Sequence, residues 1–306
     1  MKAESYLKGI QNGDISILSQ AITLIESTIE KDKETATKLI DLCLQKKRNS
    51  KKICISGPPG VGKSTFINKL GTYLIKNKKI AVLAIDPSSQ KSKGSILADK
   101  TRMHPLSSHP NSFIRPSPNK GVLGGINKTT RESIILCETF GFDIIIIETV
   151  GVGQSEIIGH SISDCFILLT LPKSGDQIQA IKKGILEIAD IIIIHKSDTI
   201  NKLEIKKEKN NYSERFNKEK VIEEFSSLSN ENIENIWIKI ENFLIQKKRK
   251  NIQLDWLNEA IKEELELAFF KNKKLKNELE IIKREMKSSN LNLKKLAKEL
   301  VKKYLK

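Results

Sequence analysis

Gly57-Pro58-Pro59-Gly60-Val61-Gly62-Lys63-Ser64-Thr65 follows the short apolar run Ile53-Cys54-Ile55 and precedes a stretch with helical apolar spacing. That order prescribes a strand, a glycine-rich phosphate loop and a helix. The loop's backbone N–H groups face phosphate across a helix N-terminus, where the dipole favours negative charge. Lys63 reaches the β- and γ-phosphates, and the Ser64 hydroxyl is placed to ligate Mg²⁺. The chain is therefore expected to bind a nucleoside triphosphate along Gly57 to Thr65.

The segments around this loop fit the same plan. β-Branched runs at 53–56, 80–85, 143–147, 165–171 and 190–195 predict central strands of a parallel sheet, with a sixth near 220–226. Helices are expected at 64–76, 129–140 and 176–188. Residues 3 to 48 read as helices, with Asp14 as N-cap of the run Ile15 to Glu30, and Lys46-Lys47-Arg48 reads as a linker. From about residue 230 the pattern is helical to the end, with Trp237, Ile240 and Leu244 on one face. The predicted fold class is α/β, a P-loop NTPase with a mainly parallel sheet. The expected segments are an N-terminal helical stretch (1–48), the nucleotide domain (49–228) and a C-terminal helical region (229–306). The lysine-rich end of the last region buries little by itself, so a dimerisation arm and a homodimer are expected.

Composition narrows the partners. The net charge of +16 over 306 residues would suit nucleic acid. The lysines are, however, interleaved with glutamate beyond residue 200, and no aromatic-basic platform accompanies them, so a solvated surface is the expectation and nucleic acid is not. Cys43, Cys54, Cys137 and Cys165 are widely spaced and read as small buried hydrophobes in a reducing compartment. The N-terminus lacks a signal-peptide core and no apolar run has membrane-spanning length, so a cytoplasmic location without a membrane partner is expected.

Polar residues at the strand ends refine the ligand, because open α/β sheets bind ligands beyond the carboxyl ends of their strands. Asp86 and Glu148 end two of these strands, where a carboxylate holds Mg²⁺ or caps a helix. His195-Lys196-Ser197-Asp198 ends another and matches the NKxD guanine element of G proteins, with His195 in place of asparagine. Asp198 would accept from guanine N1–H and the N2 amine, a donor pair that adenine lacks. Lys196 would pack its stem on the base. An imidazole does not reproduce the amide's simultaneous donor and acceptor pattern in the same geometry, which predicts retained guanine preference with weakened binding. Val152 follows Gly151 where Ras-like proteins carry a water-orienting glutamine. Gln154 stands nearby but reads equally as a solvated loop amide, and no obvious arginine finger presents itself, Arg102 and Arg115 being candidates only, so slow intrinsic hydrolysis is expected.

The assembled motifs resemble the MeaB/ArgK family of G proteins, chaperones of methylmalonyl-CoA mutase and related B12 enzymes. The shared stretches are AITLIES (21–27), GPPGVGKSTFINKLG (57–71), DPSS (86–89), GSILADKTRM (94–103), FIRPSPNKGVLGG (113–125), ETVGVGQSE (148–156) and AIKKG (180–184). The resemblance runs from about residue 14 to 198 and more weakly to the end. It implies a GTPase that turns GTP into GDP with Mg²⁺, slowly without its partner, and gates adenosylcobalamin loading or protection on a B12-dependent mutase. It implies a first switch from Asp86 to Arg102, with Asp86 and Asp99 near metal and nucleotide. Glu148 and Gly151 then stand in the DxxG positions, and Lys173 to Gly184 forms a further switch. Ser227-Leu228 stands for the last base-contacting element, with its alanine missing. Lys93 and Ala98 replace glycines of the family's first switch. The alternatives are a metal-insertion GTPase, an ATPase or kinase of a transport system, and a binding module with little turnover.

Overall fold

A computed structural model of the chain describes residues 1–46, 49–85, 103–116, 123–149, 154–172, 183–216, 220–229, 232–246, 252–286 and 292–305. Its core is one sheet of β1 (Lys51–Ser56), β2 (Ile80–Ile85), β3 (Ser112–Pro116), β4 (Ile144–Thr149), β5 (Cys165–Thr170), β6 (Ile191–His195) and β7 (Val221–Phe225). The order is β3-β2-β4-β1-β5-β6-β7 and every pair is parallel. The chain leaves β1 toward β2 on one flank and crosses from β4 to β5 on the other. The winding therefore reverses at β1, the place where such sheets take their ligands.

The central strands are buried on both faces, which is why they read as near-continuous apolar runs. On one face Ile53, Ile55, Ile144, Ile146, Ile167 and Ile193 pack with Phe66, Leu70, Trp237 and Ile240. Fully burying each such side chain contributes about 1.5–3 kcal/mol. Strand β3 is absent from the sequence expectation. It is an edge strand of 5 residues, paired with β2 alone, and only Phe113 and Ile114 are buried. Pro116, without an N–H, is tolerated at such an edge.

The helices of this unit are α1 (Ala3–Gln11), α2 (Ile15–Ile25), α3 (Glu30–Leu44), α4 (Lys63–Leu74), α5 (His104–Ser107), α6 (Leu123–Phe140), α7 (Gln154–Ile162), α8 (Lys183–Ile188), α9 (Lys202–Arg215) and α10 (Ile233–Gln246). The Asp14 carboxylate accepts from the N–H groups of Ser16 at 2.8 Å and Ile17 at 3.1 Å, so the expected cap of α2 is present. Helices α1 to α3 pack together, and all three touch α6. Of the helix expected at 176–188, the described part is α8; residues 176–182 lie outside the described residues. Helix α9 has no apolar stripe to betray it, burying only Ile205 and Tyr212. Its start is set by a capping box, in which Asn201 and Glu204 bond each other's backbone N–H.

Helix α10 lies on α4, β5 and β7, so it belongs to the sheet's compact unit, which runs from Met1 to Lys250. A second compact unit, Asn251–Lys306, contains α11 (Ile252–Lys271), α12 (Lys273–Glu285) and α13 (Leu293–Tyr304). Asn272 and Asn292 cap its last two helices. Glu278 joins them, accepting from Lys303 at 2.7 Å and from the Tyr304 hydroxyl. Among the described residues no helix is long and apolar enough to cross a membrane. The four cysteines are buried thiols.

Candidate functional site

The loop after β1 needs glycine where the sheet and the neighbouring strand ends crowd it. At Gly57, with φ +151°, a Cβ would come within 2.6 Å of the Leu169 carbonyl oxygen. At Gly62, with φ +98°, it would meet His195 Cε1 at 2.5 Å. The Lys63 ammonium bends back over the loop and donates to the carbonyls of Gly57 at 2.8 Å and Pro58 at 3.2 Å. Burial holds its pKa below the ordinary lysine value, opposed by the nearby carboxylates of Glu148 and Glu156. Val61 is fully buried beneath the loop, while Pro59, Gly60 and Thr65 are exposed.

Parallel register sets Glu148 of β4 beside Ile55 of β1 and Ala84 of β2. The Ser64 hydroxyl, in the first turn of α4, donates to Glu148 Oε1 at 2.9 Å. A hydroxyl and a carboxylate this close form a hard-oxygen pair that fits Mg²⁺, an ion that takes oxygen ligands and keeps several waters. Asp86, Asp99, Gly151, Lys93, Ala98, Val152 and Arg102 lie outside the described residues. Glu156 on α7 was not singled out from the sequence, although it closes the ETVGVGQSE stretch. It is 1% exposed, and burial raises its carboxyl above the usual range. A carboxylate buried this deeply beside the phosphate loop is its own signal.

The base end is built by the carboxyl ends of β6 and β7. His195 is 1% exposed, with Nδ1 2.5 Å from the Val61 carbonyl oxygen and Nε2 2.6 Å from Ser227 Oγ. A carbonyl only accepts, so Nδ1 carries the proton and donates to Val61, and Nε2 accepts from the Ser227 hydroxyl. Burial lowers the pKa of the ring, in keeping with this neutral form. The ring stacks on Phe225 at 5.6 Å and meets Phe66 edge-on at 6.4 Å. Through its two ring nitrogens the neutral imidazole donates to one loop and accepts from the other.

Lys196 takes the left-handed region at φ +59° and its ammonium donates to the Gly60 carbonyl at 3.0 Å. Consecutive residues of the β6 end thus hold consecutive carbonyls of the phosphate loop. Asp198 Oδ1 accepts from Ser226 Oγ at 2.5 Å, and Ser226 Oγ in turn accepts from the Leu228 N–H at 3.2 Å. Sequence reasoning passed over Ser226 because it sought one serine before an alanine. Two adjacent hydroxyls after β7 were the available signal. The Leu228 side chain is exposed.

Arg115 is engaged elsewhere. Its guanidinium pairs with Glu26 at 2.7 Å and reaches Thr23 at 3.2 Å, holding α2 to the end of β3.

Three comparisons with known proteins bear on this geometry. Residues 18–274 match the family model described as methylmalonyl Co-A mutase-associated GTPase MeaB. A probable GTPase of Mycobacterium tuberculosis is 52% identical over 190 residues, 62% of this chain and 56% of that protein, so the chain spans little more than half of that relative. The Escherichia coli protein named GTPase ArgK is 37% identical over 287 residues, 88% of this chain and 86% of that protein. Among solved structures, one described as an LAO/AO transport system kinase matches with a TM-score of 0.75 and 29% identity, covering 99% of this chain and 98% of that one.

Proposed function

This chain belongs to the MeaB family of methylmalonyl-CoA mutase-associated GTPases, and from that premise we propose that it binds and hydrolyses GTP as a nucleotide-timed chaperone of a B12-dependent mutase. The observation that carries the reading is the joining of two ends of one pocket. The Lys63–Ser64–Glu148 cluster lies at the carboxyl ends of β1 and β4, and Asp198 lies beyond β6, tied back to the phosphate loop through Lys196 and His195. Three non-adjacent stretches of sequence serve one ligand.

Each group has a role in that reading. Lys63 exchanges two loop carbonyls for phosphate oxygens, a neutral-acceptor pair for a charged one, which strengthens both hydrogen bonds. The loop N–H groups and Lys63 stabilise charge that grows on the transferred phosphoryl group. Ser64 and Glu148 would hold Mg²⁺, which when bound neutralises charge on the β- and γ-phosphates. Asp198, oriented by Ser226, accepts from the guanine N1–H and N2 amine, which adenine does not offer. With valine at 152 rather than a water-orienting glutamine, intrinsic turnover is slow and rises when a partner supplies the missing group. The γ-phosphate distinguishes the two nucleotide states, and its loss on hydrolysis is the signal to the client. The second unit contributes the surface for a homodimer.

The test is phosphate release by the full chain, alone and with purified methylmalonyl-CoA mutase, paired with co-elution in the presence of a non-hydrolysable GTP analogue. The expected result is slow release alone, about tenfold or more faster with mutase, and complex formation with the analogue. Fast release alone, unchanged by mutase and without a complex, contradicts the chaperone reading.

A further inference from the structure

His195 holds two elements of the site at once, and it does so from a buried position. Its Nδ1 is 2.5 Å from a carbonyl of the phosphate loop and its Nε2 2.6 Å from the hydroxyl that follows β7. Three neighbours crowd the ring. Phe225 stacks on one face, Phe66 meets the edge, and Gly62 passes so near the ring that no Cβ fits between them. Through these contacts His195 latches the phosphate loop to the base loop as a positioning residue, and we propose that this latch closes only around a neutral ring, so a single proton weakens nucleotide binding. This rests on reading the pocket as a guanine-nucleotide site.

Hydrogen bonding alone does not give that result. The Ser227 hydroxyl can turn and accept from an imidazolium, so both contacts would survive protonation. Burial decides it. A charged ring in a slot 1% exposed is costly, and the ring takes its proton most readily by leaving the slot. The charges acting on His195 are Lys196, which opposes protonation, and Asp198, which favours it, both at the end of its own strand. The phosphate loop and α4 face it with Val61, Gly62 and Phe66, and β7 and its following loop with Phe225 and Ser227, none of which ionises in this range.

The sign follows from the direction of the shift. Burial lowers the ring's pKa below its ordinary value of 6.5. The latch is complete above that value and is lost as pH falls through the lowered one. An asparagine amide carries a donor and an acceptor but no titrating proton, so His195→Asn separates the latch from its proton sensitivity.

The experiment measures dissociation constants for GDP between pH 5 and pH 8 for the full chain, His195→Asn and His195→Ala. Protonation of the nucleotide phosphate moves all three alike, so the readout is their ratio. The expected ratio of wild-type to His195→Asn dissociation constants rises about fivefold from pH 7.5 to pH 5. His195→Ala binds about tenfold more weakly than wild type at pH 7.5, with the profile of the asparagine variant. Parallel profiles for wild type and His195→Asn overturn the proton-sensitive latch while leaving the nucleotide site intact. If none of the three binds GDP or GTP at any pH, the pocket reading itself fails and this inference with it.

Discussion

At the phosphate end of the pocket, Lys63 and Ser64 are held by contacts that a nucleotide must replace: the carbonyls of Gly57 and Pro58, and the Glu148 carboxylate. At the base end, His195 and Ser226 make contacts that a nucleotide can leave in place, bracing the loop and one oxygen of Asp198. The first region is stabilised in a form that ligand rearranges, and the second is built in advance. Chemistry needs groups whose interactions strengthen as charge develops, whereas recognition gains from groups already ordered.

That contrast makes separable predictions. The largest effect belongs to the phosphate end. Lys63→Ala is expected to lower GTP turnover about a hundredfold to a thousandfold in single-turnover phosphate release, since it removes a charge that stabilises the transferred phosphoryl group. It should leave the ratio of GTP to ATP affinity in place. A collapse of that ratio would show that the two ends are not independent. A smaller effect is expected at the base end. Ser226→Ala removes a hydrogen bond to a carboxylate and should weaken GTP binding about tenfold, narrowing its advantage over ATP, in side-by-side titrations. Unchanged GTP affinity would mean that Asp198 is oriented by other groups.

Much of this arrangement was legible in the sequence because it is local. The strand–loop–helix at Gly57 to Thr65 and the apolar runs of β1, β2, β4, β5 and β6 each announce themselves within a few residues. The carboxylate at Glu148 was legible for the same reason, since it ends a strand whose register beside β1 is fixed by burial. What escaped is non-local or polar. Strand β3 has one neighbour and a proline, and α9 is soluble on nearly every face, so neither carries a strong period. The role of His195 depended on where Val61 and Ser227 come to lie, 134 and 32 residues away in sequence. Arg115 looked free to act on a ligand only because Glu26, its partner, sits on a helix 89 residues earlier.

The guanine preference proposed for this site rests on Asp198 and its braces. It is tested most directly by measuring the affinities of the full chain for GTP and ATP under one set of conditions with Mg²⁺ present. GTP is expected to bind at least about a hundredfold more tightly, since adenine offers Asp198 neither of the two donors that guanine does. Equal affinities would contradict it.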